Sequence, residues 1–291
     1  MNARLRRLTA ALALLACLAP ADAAADLDAG NFVDVGDALT EMLDASVTTF
    51  STLMLGVGPQ APARPRRAAL SPPRPRGGAQ TLRLQCPGGG EVSTTIFDVD
   101  ADGGLSIGDR FVTVFDACES NGGMITGRSE FVVALHRYDG GLELTELAYR
   151  FDDLGTAQMR WNGAARASLR EDLLRGTERF VVTYLDLAVA RGPQRMRWSF
   201  ALDVVRPPFG DALATLAGAM RIGELRLQLR QDEPFALGSD GYPRSGVLNV
   251  SDVRGAFLQL EAGRRRYTYR FYRAGSDGPD AVSQSKRYGE R

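Results

Sequence analysis

A run of alternating carboxylates is the strongest chemical signal in this sequence. In the stretch "DVDADGGLSIGD", Asp98, Asp100 and Asp102 alternate with other residues, and Gly103 follows directly. Counted from Asp98, the carboxylates occupy positions one, three and five of an EF-type calcium loop, and the glycine occupies position six, where the backbone turns sharply. Like charges this close repel one another unless a cation or water separates them. The pattern therefore predicts a calcium site, with a solvated acidic hairpin turn as the alternative.

The remaining ligand positions of such a loop also carry oxygen donors. Gly104 offers its carbonyl at position seven, Ser106 acts through water at position nine, and Asp109 closes the loop at position twelve. Aspartate at position twelve is shorter than the usual glutamate, and in this respect the loop resembles the calcium loops of dockerins. The flanks "STTIF" and "RFVTVF" are typical of strands. We therefore expect a static structural site at a hairpin tip, with a dissociation constant of roughly 10⁻⁴ to 10⁻³ M.

The N-terminus is typical of an export signal. Arg4, Arg6 and Arg7 precede "LTAALALLA", an apolar run too short to span a bilayer. Cleavage after "ADA", which ends at Ala23, would give a soluble periplasmic protein. The text "LLAC" resembles a lipobox instead, in which Cys17 is lipidated and attaches the chain to the outer membrane. Both interpretations stay open, and both predict a periplasmic location.

Two of the three cysteines are expected to form a disulfide. Either cleavage removes Cys17 from the pairing, and Cys86 and Cys118 remain as an even pair in an oxidising compartment. The loop that this pair closes spans about thirty residues, which the chain-entropy model equates to roughly 3–4 kcal/mol. The alternative is two buried free thiols.

The elements that must position these residues are mostly strands. Residues 31–55 show the apolar spacing of a helix, whereas the text from residue 80 onward alternates with period two and is interrupted by turns such as "PGGG" and "YDGG". We predict an all-β fold, a large antiparallel sheet forming a sandwich or open barrel of roughly ten to twelve strands, with one N-terminal helix. The stretch "FGDALATLAGAM" is expected to be irregular because of its glycines and to lead into a strand. The expected segments are a signal peptide at 1–23 (1–16 in a lipoprotein), a helical segment at 24–58, a Pro/Arg-rich linker at 59–79, a β domain at 80–275 and a disordered tail at 276–291.

The cysteine-flanked loop is similar to an arrangement found in uncharacterised β-rich exported proteins and lipoproteins of proteobacteria. The resemblance rests on "CPGGG" from Cys86, the acidic loop, Phe115, Cys118 and Gly127, and on the later text "GYPRSGVLNVSDVRGAFLQL". It covers most of residues 80–275. Because that family has no assigned activity, the resemblance implies a fold and a compartment and no reaction.

The sequence offers little support for an enzyme. The only histidine, His136, lies in a strand-like stretch, and the text contains no G-x-S-x-G, H-E-x-x-H or phosphate-loop motif. Two carboxylates could suffice for glycoside hydrolysis, but Glu143 and Glu146 should face opposite sides of a strand. Trp161 and Trp198 could stack on a sugar or a lipid, although core positions are the more common outcome.

The most economical interpretation is a non-enzymatic cell-envelope protein with a structural calcium-binding loop. Positive and negative side chains number 35 each, which argues against a nucleic-acid partner. The alternatives are a periplasmic carrier of a lipid or another apolar ligand, and an envelope hydrolase that uses carboxylates. The expected contacts are an outer-membrane attachment through Cys17 and an envelope protein or lipid ligand.

Overall fold

Alternation of apolar and polar side chains organises most of the chain into strands of one antiparallel sheet. The computed structural model describes residues 25–55, 79–120, 123–238 and 241–285. Fourteen strands follow one another in the sheet in the same order as in the sequence. Helix α1 spans Phe32–Leu55. The strands are β1 Gln80–Gln85, β2 Glu91–Phe97, β3 Arg110–Ser120, β4 Gly123–Asp139, β5 Leu142–Gly155, β6 Met159–Asp172, β7 Thr177–Arg191, β8 Gln194–Arg206, β9 Ala212–Ile222, β10 Leu225–Leu237, β11 Pro243–Asp252, β12 Phe257–Ala262, β13 Tyr267–Tyr272 and β14 Ala281–Gln284.

The antiparallel meander sorts the turns into two groups. Because neighbouring strands run in opposite directions, every second turn lies at the same end of the sheet. The acidic loop between β2 and β3 shares its end with the β4–β5, β6–β7, β8–β9, β10–β11 and β12–β13 turns. We call this the loop end. The opposite end, which holds the β1–β2 turn after Cys86, is the disulfide end.

The side chains of Asp28 and Asn31 accept backbone N–H groups just before helix α1 begins. The Asp28 carboxylate accepts the N–H groups of Gly30 at 2.8 Å and Asn31 at 2.9 Å. The Asn31 side-chain oxygen accepts the Asp28 N–H at 3.0 Å. The apolar positions of the first turns then recur at helical spacing and are buried against the sheet: Val35, Ala38, Leu39, Met42 and Leu43.

The sheet curls around this helix. The Asp37 carboxylate accepts the hydroxyl of Tyr269 in β13 at 3.0 Å, while Glu41 pairs with Arg191 in β7 at 2.6 Å. Both contacts involve the same helix, although β8–β12 lie between β7 and β13 in the sheet. The Glu41 carboxylate holds the pKa of the Arg191 guanidinium above its usual value. We call the sheet face that meets α1 the inner face.

The core lies between the inner face and α1 and is rich in aromatic residues. Trp198, Phe200, Tyr267, Tyr269 and Phe271 are among the largest fully buried side chains. Strand β10 shows the expected alternation, with buried leucines on the inner face and exposed arginines on the outer face. The core does not extend to the first edge of the sheet, because every residue of β1 is exposed.

The structure confirms an all-β fold with one helix and shows an open sheet: among the described residues, β1 and β14 do not pair. Two stretches differ from expectation. Strand β9 begins at Ala212, inside the segment predicted to be irregular, and the tail predicted to be disordered from residue 276 contains β14. Strand β14 is held because the Asp280 N–H donates to the Phe271 carbonyl at 2.8 Å and the Asp280 carboxylate accepts the Arg273 N–H at 2.7 Å. The signal peptide, Cys17 and the linker up to residue 78 lie outside the described residues.

Candidate metal centre

The acidic loop is a hairpin connection at the loop end. It fills the interval between Phe97, the last residue of β2, and Arg110, the first residue of β3, and these two residues pair directly. The loop is also tied to β4, because the Gly108 N–H donates to the Val133 carbonyl and the Val133 N–H donates to the Asp109 carbonyl, each at 2.9 Å. The strands flanking the loop were expected from the sequence.

Three of the predicted ligands come together within this loop. Asp98, Asp100 and Asp102 each offer a carboxylate oxygen, and these oxygens all lie within 4.8 Å of one another. The Asp98 oxygens accept the N–H groups of Ala101 at 2.7 Å and Gly103 at 2.9 Å. These hydrogen bonds fold the backbone around the carboxylates, so the grouping follows from local sequence spacing.

Ser106 joins the same group through Asp100. Its hydroxyl donates a hydrogen bond to the Asp100 carboxyl and is the main cause that lowers the pKa of that group. The backbone N–H of Asp102 acts in the same direction. The N–H of Gly104 donates to the Asp102 carboxylate at 2.5 Å. The donors to Asp100 favour the ionised form of its carboxyl, which is the form that a cation requires.

Asp109 has a different environment from the other aspartates. It is 1% exposed, and its two oxygens accept the N–H groups of Val99 at 3.0 Å and Ser106 at 2.8 Å. It therefore fastens the last residue of the loop to both the beginning and the middle. Each carboxylate oxygen retains a second lone pair after such a bond, so Asp109 still has the capacity to coordinate a metal. Its role as the ligand at position twelve stays a prediction.

The chemistry of this donor set is that of a hard cation. Three carboxylates, a hydroxyl and backbone carbonyls are oxygen ligands of the kind that calcium prefers, and they include no sulfur or imidazole donor. Bringing the three carboxylates of Asp98, Asp100 and Asp102 together raises their mutual repulsion, which a bound divalent cation would reverse.

The predicted disulfide is present at the opposite end of the same hairpin. Cys86 and Cys118 are bonded, with their Cα atoms 5.4 Å apart. The turn from Cys86 to Gly90 also lies against the end of β3, because the Glu119 N–H donates to the Gly89 carbonyl at 2.9 Å. The disulfide therefore closes the β2–β3 hairpin at the end away from the acidic loop.

The candidate catalytic residues do not assemble into a triad. His136 Nδ1 lies 3.1 Å from the Thr145 hydroxyl and 3.9 Å from Glu143. One ring nitrogen thus faces both groups, whereas a triad needs the nucleophile and the acid on different nitrogens. Glu143 and Glu146 lie on opposite faces of β5, as expected from their spacing. Trp198 is a core residue, and Trp161 is partly buried against the core.

Sequence reasoning missed a row of glutamates on the inner face. The strand register places Glu143 of β5 opposite Glu171 of β6, and Glu171 opposite Glu178 of β7. Arg206 of β8 continues the row and pairs with Glu178 at 2.8 Å. Only the pairing register brings these residues together, so no local motif could have identified them.

A surface depression of about 510 Å³ lies at the disulfide end, where the chain enters the fold. Leu27 and Phe271 line it together with Asp26, Arg254 and Arg273. Arg254 pairs with Asp26 across this depression. The depression is open to the surface and includes charged side chains in its lining, unlike the enclosed aliphatic cavity that a lipid carrier would need.

Comparison with known proteins identifies no relative. In the ranges that the structure describes, no helix combines the length and apolar character needed to cross a membrane. No family model matches the chain, and no curated protein or solved structure is significantly similar to it, so the resemblance to exported proteobacterial proteins stays a prediction.

Proposed function

We propose that this chain is a non-enzymatic cell-envelope protein whose acidic loop binds a structural calcium ion. The observation that carries the proposal is the convergence of Asp98, Asp100 and Asp102 within 4.8 Å. Ser106 and the N–H of Asp102 support it, because their hydrogen bonds lower the pKa of the Asp100 carboxyl. The role of calcium would be to fasten one end of the β2–β3 hairpin.

The envelope location is supported by two independent features. The N-terminal residues have the pattern of an export signal, and the Cys86–Cys118 disulfide belongs to an oxidising compartment. The mature chain would be soluble in the periplasm or attached to the outer membrane through Cys17. The mass of the mature N-terminus separates these two forms.

Calcium binding can be measured through thermal and chemical stability. For a dissociation constant of roughly 10⁻⁴ to 10⁻³ M, 10 mM calcium stabilises the folded state by about 1.4–2.7 kcal/mol. We expect this gain, together with heat in a calorimetric titration, for the parent chain in chelator-treated buffer. Asp100→Asn combined with Asp102→Asn should abolish both signals. Asp139→Asn is the matched control, because this exposed carboxylate lies in the neighbouring β4–β5 region outside the group.

Two results would contradict the proposal. One is a parent chain that gives neither heat nor a stability change up to 10 mM calcium. The other is a calcium response that the Asp100 and Asp102 substitutions leave intact, which would place the ion elsewhere. Magnesium at the same concentration tests selectivity, since its strict octahedral geometry suits a loop of this kind less well.

A further inference from the structure

The first edge of the sheet is exposed along its whole length. Among the residues that the structure describes, β1 pairs with β2 alone, and their register contains no bulge. All six residues of β1 are exposed. The strand at the opposite edge, β14, has only four residues, and shortening is one of the ways in which proteins protect a sheet edge. Strand β1 lacks this protection, so its edge can accept a further strand.

The hydrogen bonds at the end of β1 show which of its backbone groups are free. The Cys86 N–H donates to the Gly90 carbonyl at 3.1 Å, which extends the β1–β2 register by one pair and directs the backbone of Cys86 toward β2. In an antiparallel ladder the backbone groups of successive residues point alternately to one neighbour and to the other. The N–H and C=O groups of Thr81, Arg83 and Gln85 therefore point away from β2, to the open side of the edge.

The side chains of the same three residues are engaged on the outer face. The Thr81 hydroxyl lies 3.0 Å from that of Thr95 in β2. Arg83 and Gln85 both contact Glu91 in β2, Arg83 as an ion pair at 3.5 Å and Gln85 through a hydrogen bond at 3.2 Å. The charge of Arg83 is thus compensated within the chain. What remains available for pairing at these three positions is the backbone.

Two leucines on the inner face of β1 are exposed. The register places Leu82 in the same cross-strand row as Phe151 of the core, with Leu84 two positions further along on the same face. The core does not reach them, since Leu82 is 48% exposed and Leu84 is 58% exposed. Exposed apolar side chains on an open edge promote pairing between chains. A fitting partner strand has free backbone groups and apolar side chains at the matching positions.

A second copy of β1 meets both requirements. In an antiparallel pair centred on Arg83, the two Arg83 residues exchange both of their outward hydrogen bonds, and Thr81 exchanges both with Gln85 of the other copy. Every outward backbone group of the edge is then satisfied. The same register sets Leu82 opposite Leu84 of the other copy, at a position where the side chains of a non-hydrogen-bonded pair come closest. Because each copy supplies the same surface, the contact closes as a dimer.

Other strands of this chain fit the edge less well. Six of the twenty residues from 59 to 78, which precede β1, are prolines, and proline has no N–H to donate to a neighbouring strand. Strand β14 of another copy would set Ala281 and Ser283 against the leucines. Such a contact between unlike surfaces would leave a free edge on each copy. The composition and the register therefore favour a second β1 as the occupant.

We propose that two copies of this chain form a reversible dimer in which their β1 strands pair antiparallel about Arg83 and join the two sheets into one. The six residues of β1 extend over about 20 Å, and a sheet is about 10 Å thick. A contact of this size is well below the roughly 800 Å² that each partner buries in a stable complex. We therefore expect a dimer that dissociates on dilution, with a dissociation constant above about 1 μM. The dimer does not involve the calcium loop and goes beyond the proposed function.

Sedimentation equilibrium of the exported chain between about 1 μM and about 1 mM tests the dimer. The chain carries Cys17→Ser, so that no attached acyl chain causes association. Two double variants introduce like charges at the facing positions: Leu82→Glu with Leu84→Glu, and Leu82→Lys with Leu84→Lys. Each should dimerise at least about tenfold more weakly than the parent, because like charges then stand opposite one another. An equimolar mixture of the two variants should recover the dimer, since every introduced carboxylate then faces an ammonium group.

The mixture separates pairing of β1 from an indirect effect on folding, because two misfolded variants would not restore each other's association. Both leucines are exposed, so the melting temperatures of the variants should match that of the parent. Val282→Glu in β14 is the matched control, because this side chain is 58% exposed on the opposite edge. This control should leave the dissociation constant within about twofold of the parent value.

Four results would overturn the proposal. The first is a parent chain that stays monomeric at about 1 mM. The second is a double variant that dimerises like the parent, and the third is a mixture of the two variants that stays monomeric. The fourth is a Val282→Glu control that weakens the dimer as strongly as the leucine substitutions, since the contact would then use β14.

Discussion

Removal of the Cys86–Cys118 disulfide should destabilise the protein by an amount that follows from the chain length it encloses. The two cysteines are separated by 32 positions in the sequence. For a loop of this length the chain-entropy model gives about 12 cal/mol/K, or about 3.7 kcal/mol at 25 °C. The loop includes β2, the acidic loop and most of β3, so its constraint acts on a segment that unfolds with the sheet edge. We expect Cys86→Ala combined with Cys118→Ala to lose most of this free energy of unfolding.

Urea denaturation followed by tryptophan fluorescence and by far-ultraviolet circular dichroism measures the loss. Trp198 reports on the core, whereas circular dichroism reports on all strands, including β1–β3. A reductant should lower the stability of the parent to that of the double alanine variant and leave the variant itself unchanged. Equal stability of the parent and the variant without reductant would refute the reasoning. Two free thiols in the denatured, unreduced parent would refute it as well.

Two further predictions concern backbone space and buried phenols. Gly127→Ala should lower the free energy of unfolding by at least about 2 kcal/mol more than Gly140→Ala does. Both glycines have positive φ, but of the two only a Cβ at position 127 would strike a backbone oxygen, which is the Asp153 carbonyl at 2.1 Å. Equal melting temperatures of the two variants would contradict this reasoning. Burial raises the pKa of Tyr149 and Tyr269 above the usual value. The folded state therefore holds these protons more tightly, and stability present below about pH 10 should fall as the pH rises further. Between pH 8 and 11 the urea midpoint should fall less steeply with pH in Tyr149→Phe and Tyr269→Phe than in the parent. The same dependence on pH in parent and variants would count against burial of these phenols as the cause.

Local signals in the sequence predicted the strands, the acidic loop and the disulfide pair well. The spacing of Asp98, Asp100 and Asp102 determines their convergence, because hydrogen bonds within a few residues fold the loop. The burial of Asp109 could not be predicted from local spacing in the same way. Its burial depends on contacts with β4, which lies beyond β3 in the sheet.

The early start of β9 shows how a local rule can fail. The glycines of residues 209–220 were taken to exclude a strand before Gly218, but β9 begins at Ala212 and Gly218 lies inside it, where β8 and β9 approach closely. A Cβ at this position would come within 2.6 Å of the Ser199 carbonyl oxygen. The glycine is compatible with the strand because it makes room for the neighbouring backbone. The glutamate row was missed for a related reason, since it depends on the pairing register of neighbouring strands.

The order of the strands has a consequence for how the protein folds. Each strand pairs with the one made just before it, so hairpins can form successively as the chain is released from its N-terminus. Helix α1 is made first, but its partners come much later: Glu41 meets Arg191 across 150 positions, and Asp37 meets Tyr269 across 232. We therefore expect the apolar face of α1 to lack its full native contacts until β13 has been synthesised, so that docking of the helix is a late step in folding.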